Sequence, residues 1–329
     1  MSLGVPSPNP ENDPVLVEVQ SNLIRRKEPV IGRVHKNEIC MAGKSSSFVR
    51  HIEVDVSGTA LAGTFTAGQA FGIIPPGENE RGRAHNVRLY SLACPSVGED
   101  GSGNIVSSTV KRLIDERWPE SDGEEEHSLF TGICSNYLCD LPVGSEVKVT
   151  GPSGKTFLLP QDPSKHDYLF IAAGTGIAPF RGMLKELLEG PGGPCDSKIQ
   201  VVMGSPYRGD LLYDDWFTDM ADQHEGFEYH TAISREPLPG ATRGEYVAGL
   251  MERKIDTFAP FLRSPRTLIY VCGLEGMQIG LYRMMGRHGL IEHYVQLPEE
   301  FDGMTPDEWP ADRMKRRCRP TKRAMVEVY

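Results

Sequence analysis

The chain lacks the features that would tie it to a membrane or to a cysteine-built scaffold. Nowhere in its 329 residues do 18 apolar residues run together, the least that a bilayer-spanning helix needs. The N-terminal stretch has no apolar core of the kind a secretory leader carries. A cytoplasmic protein without an integral membrane segment is the expectation. The seven cysteines, at 40, 94, 134, 139, 195, 272 and 318, are odd in number and show no paired short spacing. Four residues separate Cys134 from Cys139 and no second pair exists, so neither a metal site nor a disulfide framework is expected, and a reducing compartment is. Net positive charge is missing too. A formal charge of −10 argues against a general nucleic-acid binder. Internal repeats, low-complexity segments and the full six-residue glycine fingerprint of dinucleotide-binding turns are all absent.

What is present is organised around Asp167 to Glu189, which reads as a strand, a glycine turn and a helix. Tyr168 to Ala172 is an unbroken apolar run of the kind buried on both faces of a parallel sheet. Met183, Leu184, Leu187 and Leu188 then recur at helical spacing, with Pro179 suited to the first helical turn. Between them Gly174-Thr175-Gly176 lets a ligand come close to the backbone, and the start of the helix offers unpaired N–H groups to a phosphate. That is a dinucleotide-binding turn in outline.

The length calls for two domains of ordinary size. Residues 1–28, rich in Pro, Asn and charge, read as a mobile tail. From 29 to 160, short apolar runs are broken by Gly, Pro and Ser, and His51-Ile52-Glu53-Val54-Asp55-Val56 alternates like a strand. This half is expected to be an antiparallel barrel or sandwich, with a short helical turn over Lys111–Arg117 and a surface loop over the acidic stretch 120–126. From 161 to 329, strand-like runs alternate with helical ones, which implies an α/β, doubly wound parallel sheet. Its ligands should lie at the carboxyl ends of the strands, where Gly174, Gly204, Ser234 and Cys272 fall.

Four stretches complete the pattern: Arg88-Leu89-Tyr90-Ser91; Gly132-Ile133-Cys134-Ser135-Asn136-Tyr137-Leu138-Cys139-Asp140; Gly174-Thr175-Gly176-Ile177-Ala178-Pro179-Phe180-Arg181; and Val271-Cys272-Gly273-Leu274 with Val326-Glu327-Val328-Tyr329 at the chain end. Arg88 supplies a forked donor for a pyrophosphate and Tyr90 a flat face for an isoalloxazine ring. Along a strand these two share a face, while Ser91 points the other way unless the strand bends. In this order the stretches resemble the plant-type ferredoxin–NADP reductase family, from about Val30 onward. The resemblance implies an N-terminal β-barrel that binds FAD and a C-terminal α/β domain that binds NADP(H).

For FAD, the resemblance implies the strand Arg88, Leu89, Tyr90 and Ser91, with the Ser91 hydroxyl at the flavin's reactive edge. It implies Gly132, Ile133, Cys134 and Ser135 as donors to the FAD phosphates. Lys111 is the implied nucleotide-phosphate contact, and Thr109 is counted in the same site. Asp115 stands where the family has an aromatic residue under the adenine, and Trp118 is the available substitute. Ala172-Ala173 replaces a glycine and threonine that the family commonly carries before the loop.

For the second nucleotide, the implied set is Thr175, then Gly204-Ser205-Pro206, then Cys272-Gly273-Leu274. A 2′-phosphate calls for a bidentate cation, a hydroxyl donor and an aromatic partner. The resemblance supplies these as Ser234, Arg235 and Tyr246, with Arg243 as the candidate for the family's lysine. Cys272 is expected beside the nicotinamide. Glu327 is expected to reach the Ser91 hydroxyl as a proton path, and Tyr329 to stack on the flavin opposite Tyr90 as a competitive lid. The implied activity is exchange of a hydride between NADPH and flavin and of single electrons with an acidic carrier, ferredoxin or flavodoxin. Lys111 and the cluster Arg313, Lys315, Arg316, Arg317, Arg319, Lys322 and Arg323 would attract that carrier. The alternatives are the reductase component of an oxygenase system and a flavin redox sensor without turnover.

Overall fold

The computed structural model describes residues 4–43, 45, 47–117, 128–190 and 194–329. The first half forms β1 (Val30–Ile39), β2 (Val49–Asp55), β3 (Ala70–Ile74), β4 (Arg88–Ser91) and β5 (Ile105–Lys111). A hairpin of β6 (Ile114–Arg117) and β7 (Ser128–Thr131), helix α1 (Ile133–Asp140) and β8 (Glu146–Ser153) complete it. Six of the strands form an antiparallel sheet in the order β4-β3-β8-β1-β2-β5. The sheet closes on itself where Leu92 bridges Ser108, and the Ser108 hydroxyl donates to the Ser91 carbonyl at 2.7 Å. Closure removes the exposed edges. Inside lie Val34, Ile52, Val54, Phe71, Ile73, Val106, Val110, Val147 and Val149, the inward members of strands that alternate.

The second half strings β9 (Asp167–Ala173), α2 (Ala178–Glu189), β10 (Ile199–Ser205), α3 (Asp214–Gln223), β11 (Phe227–Ile233), α4 (Val247–Arg253), α5 (Ile255–Arg263), β12 (Thr267–Gly273) and α6 (Glu275–Arg287). The short β13 (Val295–Gln296), α7 (Ala311–Arg317), β14 (Arg319–Pro320) and β15 (Ala324–Val328) follow. The five parallel strands run β11-β10-β9-β12-β15. Two apolar layers cover them, one around Phe170, Phe180, Met183 and Phe217, the other around Ile171, Leu250, Phe258 and Leu281. The expected two-part architecture is therefore observed, and β9 starts the central strand of the sheet.

Three expectations differ from the structure. Residues 4–28 lie on the body: Val5 bridges Thr321, Leu16 bridges Pro160 and Ile24 bridges Gly151, so backbone pairing holds a segment whose composition reads as a tail. Lys111–Arg117 forms no helical turn, because the chain leaves β5 and pairs again as β6 against β7. Arg323 does not belong to a basic surface. Its side chain is buried, donates to the carbonyls of Ser264 and Thr267 and lies over the Tyr294 ring. The acidic stretch 120–126 and Trp118 lie outside the described residues.

The two halves meet along a polar seam. Arg181 on α2 donates to the Ala93 carbonyl at 2.7 Å and is paired with Glu99. Gly182 beside it is a glycine for packing, since a Cβ there would sit 2.3 Å from the Cys94 carbonyl oxygen. Tyr213, in left-handed backbone at φ 56, contacts His51 Nδ1 at 2.9 Å and Thr109 Oγ1 at 2.6 Å through its hydroxyl. Two polar residues of β2, His51 and Glu53, are buried here. Burial opposes ionisation of Glu99, but hydrogen bonding and charge from Arg181 outweigh it and leave its pKa lowered. His51 Nε2 lies 3.3 Å from Glu53 and 3.5 Å from Glu99, a grouping close enough for a cation. The Glu99 oxygen facing it already accepts from Arg181 and, at 2.7 Å, from Ser107. The cluster is an ionic seam in which the Arg181 guanidinium pairs with Glu99.

Candidate functional site

Two sets of residues face each other at the mouth between barrel and sheet. On the barrel side, β4 is a strand of four residues paired with β3, Tyr90 opposite Phe71 and Ser91 opposite Ala70. Tyr90 and Ser91 are half-buried, while Arg88 and Leu89 are exposed. The Tyr90 hydroxyl lies against the Cys134 thiol, and burial raises its pKa, which keeps the ring neutral. Among the described residues Arg88 has no acidic partner. Its guanidinium donates to the Val87 carbonyl at 3.3 Å.

Helix α1 begins immediately after Gly132, so the backbone N–H groups of Ile133, Cys134 and Ser135 have no intrahelical acceptor. A Cβ at 132 would meet Ser135 Oγ at 2.7 Å and Leu113 Cβ at 2.9 Å. Only glycine lets the hairpin close onto the helix start. The structure modifies two of the expected roles. Ser135 Oγ is engaged locally, donating to the Gly132 carbonyl and accepting from Leu113 N, each at 3.2 Å. Cys134 is buried in the barrel core, so its backbone rather than its side chain faces outward. Thr109, expected in the cofactor set, is buried at the seam and bonded to Tyr213. Lys111 sits at the end of β5, exposed, close enough for its charge to act on Asp210 across the mouth.

On the sheet side, the glycine turn after β9 is a single 3-10 turn, with Gly174 at φ 54. Gly176 is glycine for a reason the sequence does not show: a Cβ there would lie 2.1 Å from the Cys272 carbonyl oxygen. Gly273, at φ 144, would likewise crowd Ala173. The loops after β9 and β12 therefore pack directly together and form one floor. Cys272 is buried among the core residues of the sheet, and its thiol is pushed up to about 12 by burial, with the Glu327 charge adding to it. Glu327 lies opposite Cys272 on β15. Burial raises its carboxyl to about 7, and among the described residues it has no hydrogen-bond or ionic partner. No contact between Glu327 and Ser91 is formed. Tyr329 donates its backbone N–H to the Gly273 carbonyl at 3.0 Å, and its hydroxyl meets Thr175 Oγ1 at 2.8 Å. Its ring remains 64% exposed.

The second nucleotide set gathers at the ends of β10 and β11. Ser234 N donates to the Ser205 carbonyl at 3.0 Å and Arg235 N to the Pro206 carbonyl at 2.9 Å. Ser205 Oγ is bonded to the Tyr207 carbonyl at 3.0 Å, and a side chain on Gly204 would meet Val247 at 2.8 Å. Those two shape the loop rather than offering groups from it. The guanidinium of Arg235 lies 6.0 Å from the Tyr207 ring centroid, and Tyr207 is a neighbour that sequence reasoning missed. Tyr246, which precedes α4, is 78% exposed. Glu245 beside it is neutralised by Arg253, so it does not oppose an anion. Leu274, 59% exposed, borders the same mouth.

These residues fit the groups that the fold implies. A half-buried neutral ring, an unpaired arginine and a helix start suit a flavin pyrophosphate. Exposed Arg235, Arg243 and Tyr246 around Ser234 suit a phosphorylated ribose. Comparison with known proteins decides the family. Residues 170–281 match the family model described as the oxidoreductase NAD-binding domain. The ferredoxin–NADP reductase of Picosynechococcus is 38% identical over 266 residues, 79% of this chain and 63% of that protein. Root isozyme 1 of the Arabidopsis thaliana ferredoxin–NADP reductase is 36% identical, over 82% of this chain and 71% of its own. The Spirulina enzyme of that name is 34% identical over 80% of this chain and 88% of its own. The chain belongs to the ferredoxin–NADP reductase family. The family's members are oxidoreductases that use FAD and NADP(H). The solved ferredoxin–NADP reductase of Plasmodium falciparum shares the fold, with a TM-score of 0.68 at 22% identity over 94% of this chain and 99% of its own. Among the described residues no helix is long and apolar enough to cross a membrane.

Proposed function

We propose that the chain is a ferredoxin–NADP reductase in which residues 29–160 carry FAD and 161–329 carry NADP(H). The observation that supports this best is the joined floor of the loops after β9 and β12, with Tyr329 tied across it at Thr175 and Gly273. A nicotinamide bound from the Arg235 side would cross that floor to meet the barrel mouth. When bound, FAD supplies the conversion between a two-electron hydride and single electrons. Tyr90 offers a flat face to the isoalloxazine, and Arg88 with the start of α1 holds the pyrophosphate. Ser234, Arg235, Arg243 and Tyr246 hold the 2′-phosphate, while Thr175, Gly273 and Leu274 line the path of the nicotinamide. Tyr329 covers the place where the nicotinamide must lie and has to move aside. Glu327, whose carboxyl burial raises to about 7, is a store for one proton on the sheet side of the site.

The proposed carrier is an acidic ferredoxin, with a flavodoxin as an equivalent, and the proposed compartment is the cytoplasm. Exposed Arg316, Arg317, Arg319 and Lys322 remain as the basic surface once Arg323 is withdrawn. Lys315 places that surface beside the site, because it is paired with Glu275, whose N–H donates to the Tyr329 carbonyl at 3.3 Å. Steady-state reduction of a ferredoxin by NADPH, followed at rising salt, tests this reading. KM for the ferredoxin should climb severalfold between about 20 and 300 mM salt. A salt-independent KM would remove the basic surface from docking.

A further inference from the structure

We propose that Arg26 is a positioning residue for the flavin site: from the segment whose composition reads as a tail, it fixes the returning limb of the β3–β4 loop and so aims Arg88 at the FAD pyrophosphate. This rests on the flavin reading above. One guanidinium donates to three successive residues, from Nη1 to Asn86 Oδ1 at 2.8 Å and from Nη2 to the carbonyls of Ala84 at 2.7 Å and His85 at 3.2 Å. Such a reach needs the planar fork of an arginine, since a lysine offers a single nitrogen. All three acceptors are neutral groups, so the contact is one of geometry rather than of paired charge.

Arg26 can hold the loop because its own backbone is held. Ile24 and Gly151 on β8 exchange N–H donations at 2.8 and 3.0 Å, and Asn22 N donates to the Pro152 carbonyl at 2.7 Å. Behind them the fully buried Gln69 amide donates to the carbonyls of Gln20 and Gly154, each at 2.9 Å. In the sheet β3 lies between β8 and β4. Arg26 therefore spans from the β8 side to the residues that lead into β4.

The loop depends on that hold. Residues 75–87 leave β3 and return to β4, closed at the tip by the Glu78–Ala84 bridge and by Asn79 N, which donates to the Arg83 carbonyl at 2.8 Å. Those bonds stay inside the loop. Among the described residues, the bonds that tie 84–86 to anything outside it are those of Arg26. Arg88 follows Asn86 by two residues, about 7 Å of extended chain. Its guanidinium has no acidic partner among the described residues and donates back to the Val87 carbonyl, so its aim is set by the backbone that precedes it.

The test is a double-mutant cycle on flavin affinity. Full-length protein stripped of flavin is titrated with FAD, and the quenching of flavin fluorescence gives Kd. An Arg88 already aimed spares the cost of ordering it on binding, so Arg26→Ala should weaken FAD about fivefold, and Arg26→Lys by about as much. With Arg88→Ala already in place, Arg26→Ala should change Kd by less than about twofold, because nothing is left to position. Cleavage by trypsin after Arg83 in the flavin-free protein should speed up severalfold in Arg26→Ala, which reads the hold on the loop directly. The proposal is overturned if Arg26→Ala binds FAD as the unaltered protein does, or if the full loss persists in the Arg88→Ala background. It is also overturned if Arg26→Lys restores full affinity, which would make the effect one of charge, or if cleavage after Arg83 is unchanged. Failure of the unaltered protein to bind FAD would instead refute the flavin reading on which the proposal rests.

Discussion

The barrel side and the sheet side of the mouth are built from different materials. On the barrel side the groups sit on strand β4 and on α1, and half-buried Tyr90 and the backbone N–H groups after Gly132 are fixed before any ligand arrives. On the sheet side the groups sit on loops. Tyr246 is 78% exposed and Tyr329, tied by its hydroxyl to Thr175, is 64% exposed, and the charge is carried by arginines on flexible stems. The difference matches two demands. A resident cofactor gains from a rigid, preformed cradle, and a cofactor that must leave at every turnover gains from contacts that are strong in charge and cheap to release.

The largest effect should come from breaking the charged half. Arg235→Ala removes the forked donor for the 2′-phosphate, and charge-assisted contacts are worth roughly 1.5–3 kcal/mol each. The ratio of kcat/KM for NADPH over NADH should fall by about ten- to a hundredfold, mainly through KM for NADPH. FAD content should not change. A parallel loss for NADH, or a loss of FAD, would show that the two halves are not separable in this way.

A smaller effect tests the buried carboxyl on the sheet side, Glu327. The folded-state pKa of Glu327 is raised to about 7 from an ordinary 4.5, so between those values the folded protein keeps a proton that the unfolded chain has lost. Stability must therefore fall as pH rises through that window and stay level above it. Glu327→Gln should flatten this slope, by about 1–2 kcal/mol after allowing for partial solvation, in denaturation measured from pH 4.5 to 8. It should also slow reduction of the carrier if the proton is used. An unchanged slope would mean that the carboxyl is solvated and is no proton store.

The smallest effect concerns the lid. Stacking of an aromatic ring is worth roughly 0.5–1.5 kcal/mol, so Tyr329→Ser should tighten NADP⁺ by about two- to tenfold. NADH should compete better and turnover should slow, because the nicotinamide then leaves late. Titration of NADP⁺ followed by the flavin difference spectrum reads this. Identical affinity in the variant would make Tyr329 a surface residue with no part in gating.

The two halves also differed in how openly the sequence displayed them. The strand β9 stood out as an unbroken apolar run because a parallel sheet buried on both faces needs one, and β10 and β12 as strand-like runs alternating with helical ones. The edge strand β15 did not, since five residues interrupted by Glu327 carry no period. The hairpin β6–β7 was mistaken for a helical turn because pairing with residues beyond a long connection outweighs local propensity. Arg235, Ser234 and Tyr246 were legible as a chemical set. The partners that bury Arg323, the Thr267 and Ser264 carbonyls, lie more than fifty residues away and leave no trace in the charge pattern. Gly176 and Gly182 were visible as glycines, but what requires them, the carbonyls of Cys272 and Cys94, exists only after folding.

The central claim is that the rigid barrel cradle and the charged sheet loops serve one hydride path specific for the phosphorylated nucleotide. Anaerobic stopped-flow mixing of the flavin-loaded protein with NADPH or NADH, followed by loss of the visible flavin absorption, tests it most directly. The account predicts rapid bleaching by NADPH and bleaching at least about a hundredfold less efficient by NADH, from two lost charge-assisted contacts. Equal bleaching by both, or none by either, would contradict it.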